Sequence, residues 1–324
     1  TIGGRGTRGG MYRIKYGDTV AKQETPMTVE QVVAQPMRRS AWGRYALEQA
    51  KQIMGAEWER GLVTFARNTQ APAEQRIAAL EALQAHGPAP SLSLLKKLVK
   101  DENADVRAFA VYLLGLHPLK SVKKPLTAAL DDTDALVQRR TIESLVRAGW
   151  DTNVKVNAND AVVAKLIVLL NSEDLYVRGS ARVALERTTR EAWAEPRALI
   201  EGLVALIHTQ KSAADMDAVF NKIASSDAEL SEDDLLAALR AIELAFIRDA
   251  QGTDRSAFIQ QVGPKLLAAF PSQILSINRE LQIVLAHMEL PGAIDKLLAY
   301  QASSKAQEEQ IHTAYCLRTV QSGW

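Results

Sequence analysis

The chain has 324 residues, with 39 Lys and Arg against 38 Asp and Glu, so its formal net charge is +1. This balance argues against a dedicated nucleic-acid binder, because such proteins usually carry a basic excess on one face. At this length we expect two domains or an array of repeats rather than one typical globular core.

Residues 1–26 differ from everything that follows. Five of the first ten residues are glycine, and the segment Met11–Tyr16 alternates apolar or aromatic residues with basic ones, which is a strand pattern. One strand without a partner is not a stable unit. We therefore interpret 1–26 as a strand or linker left from an upstream β domain, and expect the chain, which begins at Thr1, to be a piece of a longer protein.

The segment Gly4–Gly9 matches the dinucleotide fingerprint G-x-G-x-x-G. The fingerprint holds a pyrophosphate only where it opens a helix, whose free backbone N–H groups then face the phosphates. A strand pattern follows this copy instead, so we assign no nucleotide site to it.

From Thr28 onward the pattern is helical, and the first two predicted helices are Thr28–Gln35 and Arg39–Gly55. The segments Gln75–Leu83, Val106–Leu114 and Val137–Leu145 then align at a period of 31 residues. A fourth copy starts 40 residues later, at Val177, because a polar loop is inserted at 150–160.

Each repeat consists of a helix A, a turn and a helix B. Acidic side chains in the turn suit the positive end of helix B, where we expect them to act as caps. The four turns contain Ala71-Pro72, Asp101-Glu102-Asn103, Asp131-Asp132-Thr133-Asp134 and Asn171-Ser172-Glu173-Asp174.

This pattern resembles HEAT repeats, through its acidic turn and the Val-Arg pair that opens helix B at Val106-Arg107 and Val177-Arg178. In the other two repeats the equivalent residues, Gln75-Arg76 and Val137-Gln138, differ from the Val-Arg pair. The resemblance implies an all-α fold, a right-handed α-α superhelix of the HEAT or armadillo-like solenoid type over 27–324, with a short N-terminal extended segment. The clearest repeats, within 57–189, span 57–87, 90–118, 120–149 and 161–189.

Beyond Arg190 the repeat pattern weakens, although the sequence still reads as helical. Six further helices are predicted, at Glu195–Thr209, Asp215–Ser225, Glu232–Ala250, Gly263–Phe270, Gln273–Met288 and Ala293–Val320.

Residues that carry common chemistries are sparse. None of the five histidines is followed by Glu, so H-E-x-x-H and the His-Glu pairs of the di-iron HEAT hydroxylases are absent. The single cysteine, Cys316, lies in an apolar helical stretch and is interpreted as a buried, inert thiol. We predict no catalytic, metal-binding or cofactor-binding residue, and no enzyme activity, for this segment.

The phase of helix B separates its core positions from its surface positions. If Val106, Ala110, Leu113 and Leu114 face the core, the residues on the opposite side of the helix face outward, and these outward residues are spaced three apart. In HEAT folds the B helices line the concave face, so these outward positions are the predicted partner-binding surface.

The predicted binding residues on that face are Phe109, Tyr112, Arg140 and Glu143. Exposed aromatic residues next to arginine are typical of protein-contact hot spots. An alternative remains open, in which Phe109 packs against a neighbouring B helix. A second candidate is a basic ledge on adjacent A helices, formed by Lys96, Lys97, Lys100, Lys120, Lys123 and Lys124, which is either a solvated face or a site for an acidic partner.

The N-terminal segment Gly3–Ile14 resembles the closing strand of a six-bladed propeller in large bacterial multidomain proteins of the membrane-bound dehydrogenase type. In those proteins a sugar-dehydrogenase-like propeller runs into HEAT repeats and then a c-type cytochrome domain. The resemblance implies an exported, periplasmic parent protein whose redox centres lie outside this chain.

The leading prediction is a non-catalytic HEAT-repeat scaffold that binds a protein partner or neighbouring domains of the same polypeptide. The alternative is a spacer segment that joins the propeller to the cytochrome in a periplasmic redox enzyme. A third is a HEAT-type enzyme, such as a nucleic-acid glycosylase or a lyase. We expect no nucleic-acid partner and no membrane span, since no apolar run approaches about 18 residues. The compartment is periplasmic if the propeller resemblance holds and cytoplasmic otherwise, and the oligomeric state is left open.

Overall fold

A computed structural model describes residues 25, 28–150, 160–188, 199–209, 213–224, 231–249, 252–322 and 324. All regular elements in these ranges are helices, and no strand occurs among them. The predicted all-α solenoid class is thus confirmed. The predicted strand Met11–Tyr16, the glycine-rich start of the chain and most of the inserted loop, at 151–159, lie outside the described residues.

The described residues form seventeen helices. In chain order they are α1 (Val29–Ala34), α2 (Ala41–Met54), α3 (Ala56–Arg67), α4 (Ala73–His86), α5 (Leu92–Leu98), α6 (Ala104–Leu114), α7 (Leu119–Ala129), α8 (Ala135–Arg147), α9 (Ala161–Leu169), α10 (Leu175–Glu186), α11 (Leu199–Thr209), α12 (Ala213–Ala224), α13 (Glu232–Arg248), α14 (Ser256–Ala269), α15 (Leu275–Met288), α16 (Ala293–Ser303) and α17 (Gln307–Leu317).

The helices group into two compact units, one up to Leu94 and one from Leu95 onward. In the first unit α3 packs against α4, and α1 and α2 pack against both of them. The first helix begins where the sequence predicts, because Thr28 and Gln31 form a capping box that satisfies two backbone N–H groups.

In the second unit seven helices pack side by side in a row, which we call the B row: α6, α8, α10, α11, α13, α15 and α17. The helices α7, α9, α12, α14 and α16 each pack against members of this row. The arrangement of helix pairs therefore continues past residue 190, where the repeat pattern in the sequence is weak.

Core packing follows the predicted phase of helix B. Val106, Ala110 and Leu114 are fully buried and Leu113 is 1% exposed. Burial of a leucine side chain contributes roughly 1.5–3 kcal/mol. These positions recur every 31 residues because each repeat needs its neighbours to bury its apolar face.

The Val-Arg pair closes the turn between helices A and B. Arg107 Nη1 donates to the carbonyls of Asp101 and Glu102 at 2.9 and 3.0 Å, and Arg178 Nη1 donates in the same way to Ser172 and Glu173 at 2.7 and 3.1 Å. These bonds satisfy carbonyls of the turn itself, which have no partner within either helix. In one of the two repeats that depart from the pair, the Gln138 side chain donates instead to the Asp132 carbonyl at 2.7 Å.

Successive turns are also linked to each other. Arg107 contacts both carboxylate oxygens of Asp132 in the next turn, each at 2.8 Å. Burial alone would raise the pKa of Asp132, but the hydrogen bonds from Arg107 and from the backbone outweigh it and lower that pKa. The expected acidic caps are present on two B helices, where Asp134 accepts from Val137 N and Asp174 accepts from Val177 N.

Two predicted helix boundaries near the C-terminus are wrong. The helix predicted from Gly263 begins at Ser256 and contains Pro264, because tertiary packing overrides the Gly-Pro break signal. Gly263 lies so close to Leu290 that an added Cβ would be 2.6 Å from the Leu290 Cδ2 atom.

The segment predicted as one helix over Ala293–Val320 consists of two, α16 and α17. The break at residues 304–306 contains neither Gly nor Pro, so the usual sequence signal is missing. A side-chain bond from Gln310 Nε2 to the Ser304 carbonyl, 2.7 Å long, satisfies the end of α16 at this break.

Candidate protein-binding surface

The four predicted binding residues lie on α6 and α8, which are neighbours in the B row. The rings of Phe109 and Tyr112 stack with centroids 5.8 Å apart and planes inclined by 24°. The Arg140 guanidinium carbon is 5.9 Å from the Tyr112 ring centroid, and its Nη1 atom is 3.0 Å from Glu143 Oε2. The structure thus brings all four into one continuous group.

Phe109 and Tyr112 are half-buried rather than fully exposed. They lie three residues apart on α6, on the side that does not carry Val106 and Ala110, and each ring supports the other. Each ring therefore keeps part of its surface in solvent while its orientation is restricted.

Arg147 belongs to the same surface, although the sequence analysis did not identify it. Its guanidinium carbon lies 4.6 Å from the Tyr112 ring centroid, and Nη1 donates to the Tyr112 carbonyl at 3.3 Å. Tyr112 consequently contacts two arginines from α8. The spacing of Arg140, Glu143 and Arg147 by three and four residues was the available signal, since it places them on one helix face.

Arg139 and Tyr176 extend the surface onto α10. Arg139 Nε is 2.9 Å from Glu143 Oε1, and its guanidinium carbon is 5.2 Å from the centroid of the Tyr176 ring. Tyr176 is 65% exposed. We call the whole group the arginine–tyrosine surface: Phe109, Tyr112, Arg139, Arg140, Glu143, Arg147 and Tyr176.

The arginine–tyrosine surface has an excess of positive charge, because it contains three guanidinium groups and one carboxylate, that of Glu143, which pairs with Arg139 and Arg140. Asp105, in the first turn of α6 and exposed, places a carboxylate at the opposite end from Arg147. Of the three arginines, Arg147 lies in the last turn of α8, whereas Arg139 and Arg140 lie in its N-terminal half.

Farther along the B row the charges are balanced. Arg182 bridges Glu186 of its own helix at 2.6 Å and Glu201 of α11 at 2.9 Å. Glu186 also contacts His208 Nδ1 at 3.0 Å. The excess of arginine is thus local to α8 and does not continue onto α11.

The six lysines of the predicted basic ledge lie on or directly after α5 and α7. Lys123 Nζ is 2.8 Å from Asp160 Oδ2, so its charge is compensated. Burial alone would raise the pKa of Asp160, but this contact and the backbone N–H of Val162 outweigh it and lower that pKa. The other five are exposed: Lys96, Lys97, Lys100, Lys120 and Lys124.

Cys316 is buried, as predicted, and its Sγ lies 3.6 Å from His312 Nε2. Burial, together with the nearby charge of Glu243, raises the pKa of this thiol to about 11. The nucleophile in cysteine chemistry is the thiolate, which is scarce at neutral pH when the pKa is so high. This Cys-His pair therefore lacks the electropositive setting of a reactive cysteine.

The described part of the chain holds no group of three or more His, Cys, Asp or Glu side chains placed to bind a metal ion. Within the same ranges, none of the helices has the length and apolar character needed to cross a bilayer.

Comparison with a family model supports the repeat assignment. The family model described as HEAT repeats matches residues 59–146 and 91–186. A search among curated proteins finds no match. Among solved structures, an engineered protein is 18% identical to this chain, with a TM-score of 0.36. The match covers 91% of this chain and 78% of the engineered protein. Human deoxyhypusine hydroxylase in complex with glycerol is 15% identical to this chain, with a TM-score of 0.31. The match covers 86% of this chain and 99% of the hydroxylase.

Proposed function

We propose that this chain is a non-catalytic HEAT-repeat scaffold that binds a protein partner, or a neighbouring domain of its own polypeptide, through the arginine–tyrosine surface. The observation that carries the proposal is the group of Phe109, Tyr112 and Arg140, in which aromatic area and a guanidinium meet on one helix row. Tyr and Arg are enriched among residues that dominate binding energy.

The rigidity of the support favours this use. Helix α8 packs directly against both α6 and α10, so the surface exists before a partner binds. A preformed surface lowers the entropy that association must lose. Stacked aromatic rings add large contact area with few rotatable bonds.

A non-catalytic role is also consistent with the chemistry of the chain. No histidine is followed by Glu, and the single thiol is buried with a raised pKa. These features favour a binding role over metal-dependent or thiol-dependent catalysis.

The test compares the wild-type chain with a Phe109→Ala/Tyr112→Ala double variant in affinity capture from the source organism. Loss of each anchor should weaken binding by about 1 kcal/mol or more, roughly fivefold or more in Kd. The matched control is Tyr45→Ala/Tyr315→Ala, which removes two rings that are 68% and 60% exposed outside this surface.

Far-UV circular dichroism of each variant shows whether the fold is retained. Equal recovery of the same partner by the wild-type chain and the folded double variant would remove the arginine–tyrosine surface from consideration.

A second candidate function is the spacer between a propeller and a c-type cytochrome domain. It is favoured only by the resemblance of Gly3–Ile14, which lies outside the described residues. The gene product from which this chain comes provides the test. A propeller sequence before Thr1 and a C-x-x-C-H motif after Trp324 are expected, and a different sequence on either side would reject it.

A further inference from the structure

We propose that the partner presents an acidic peptide segment, whose carboxylates bind Arg139, Arg140 and Arg147. This inference rests on the proposed function, since it specifies the partner chemistry of the same surface.

Unused hydrogen-bonding capacity of the arginines is the first argument. A guanidinium has five N–H donors. Arg139 and Arg140 each contact one oxygen of the same Glu143 carboxylate, and their side chains remain 38% and 41% exposed. Arg147 is exposed and contacts the carbonyl and ring of Tyr112. Each arginine can therefore bind a further carboxylate by donating hydrogen bonds to it, and guanidinium groups frequently bind carboxylates in a bidentate manner.

The second argument is that these guanidinium groups are already positioned. Arg147 lies against Tyr112, and Arg139 lies against Tyr176. A cation–π contact at an exposed site contributes about 0.5–1 kcal/mol, enough to restrict a long side chain before the ligand arrives. Less rotamer entropy is then lost on binding. The exposed ring of Tyr176 also offers apolar area next to Arg139.

The charge pattern favours a short peptide over a nucleic acid. A phosphate backbone needs a continuous track of cations. Here Glu143 lies among the arginines, and farther along the row Glu186 and Glu201 balance Arg182. A peptide, unlike a phosphate backbone, can carry carboxylates at the positions that face guanidinium groups and apolar or amide side chains at the others.

The experiment measures fluorescence anisotropy of a labelled peptide of about 12 residues, roughly 40 Å when extended. The peptide alternates Asp or Glu with Leu or Phe, and its neutral twin has Asn or Gln at each acidic position. We expect micromolar binding of the acidic peptide, at least about tenfold weaker binding of the twin, and weakening with added salt.

An Arg139→Gln/Arg147→Gln variant should bind the acidic peptide about tenfold more weakly. Its matched control, Lys265→Gln/Lys305→Gln, removes two exposed positive charges outside both this surface and the basic ledge, and should leave the Kd within about twofold. Equal binding of both peptides, equal loss in both variants, or stronger competition by a single-stranded or duplex DNA oligonucleotide would each overturn the proposal.

Failure of this inference and failure of the proposed function give different results. If Phe109→Ala/Tyr112→Ala loses the captured partner while Arg139→Gln/Arg147→Gln retains it and the acidic peptide does not bind, the surface binds a protein of other chemistry. If both variants retain the partner, the surface itself is wrong.

Discussion

Glu243 on α13 is a half-buried carboxyl group whose environment disfavours its charge. Burial raises its pKa, and the neighbouring carboxylate of Glu280 on α15, by its charge and by a hydrogen bond, raises it further. Arg240 lowers that pKa by its charge, yet it forms its 2.9 Å ion pair with Glu280. At this contact within the B row the folded chain therefore favours the protonated form of Glu243 more than the unfolded chain does.

We predict that Glu243→Gln stabilises the chain at neutral pH and has little effect in acid. A carboxyl whose folded pKa is raised contributes stability below its unfolded pKa, and this contribution is lost as pH rises through the folded pKa. Glutamine cannot ionise, so it avoids that loss. Urea unfolding at about pH 4 and pH 7 is the measurement, with the exposed turn variant Glu102→Gln as control. An equal effect at both pH values would contradict it.

Leu113 tests the helix phase directly, since it is 1% exposed on α6. We predict that Leu113→Ala lowers the free energy of unfolding by about 2–5 kcal/mol, because transfer and cavity terms add. Leu116, which is 46% exposed just beyond the same helix, provides the control. Leu116→Ala should change stability by less than about 0.5 kcal/mol. Similar losses in the two variants would mean that the phase is wrong.

At the residue level the sequence predicted burial well and contacts only in part. The 31-residue period identifies the positions that face the core, including Val106 and Leu113, because burial depends on helix phase alone. It also selected Phe109 and Tyr112. Arg147 was missed because its importance comes from its contact with Tyr112 on the neighbouring helix. Its spacing from Arg140 and Glu143 indicates a shared helix face but does not reveal that contact.

At the element scale, the approach of α6 to α8 depends on Gly115, at the C-terminal end of α6. An added Cβ there would lie 2.7 Å from the Ser144 Cβ atom and 2.8 Å from its Cα. Since backbone is among the neighbouring atoms, a rotamer change of Ser144 cannot relieve the overlap. Helices α6 and α8 would have to separate.

We predict that Gly115→Ala destabilises the chain by about 1–3 kcal/mol, the usual cost of overpacking. Gly179, inside α10, is the matched control, because nothing lies within 4 Å of its added Cβ. Gly179→Ala should stabilise by roughly 0.5–1 kcal/mol through helix propensity. Thermal and urea unfolding measure both, and stabilisation by both alanines would show that α6 and α8 are not so closely packed.

Helices and turns were predictable from the sequence wherever local chemistry marks their ends. The pairs formed by Asp134 with Val137 and by Asp174 with Val177 are local caps, and both helices begin where the acidic turns indicate. The boundary errors at Gly263 and at residues 304–306 have another cause. There the decisive contacts, with Leu290 and with Gln310, come from side chains farther along the chain.

At the scale of the second unit, the contacts within the B row join helices that are close to one another in sequence. Helix α8 packs against α6, α7 and α10, whereas α17 packs against α15 and α16. Chains built in this way have stabilities that sum over units and nearest-neighbour interfaces. Damage at one position should therefore weaken its own neighbourhood first.

We predict that Leu145→Ala, which truncates a leucine that is 1% exposed on α8, accelerates amide hydrogen exchange in α6, α8 and α10. Exchange in α17 should change little, because the packing contacts that define the row include none between α17 and α8. Leu285→Ala on α15, where the leucine is fully buried, should give the reverse pattern, with faster exchange in α13 and α17. Mass spectrometry of peptic fragments resolves these helices, and equal acceleration throughout the unit by either variant would show global cooperative unfolding instead of nearest-neighbour stability.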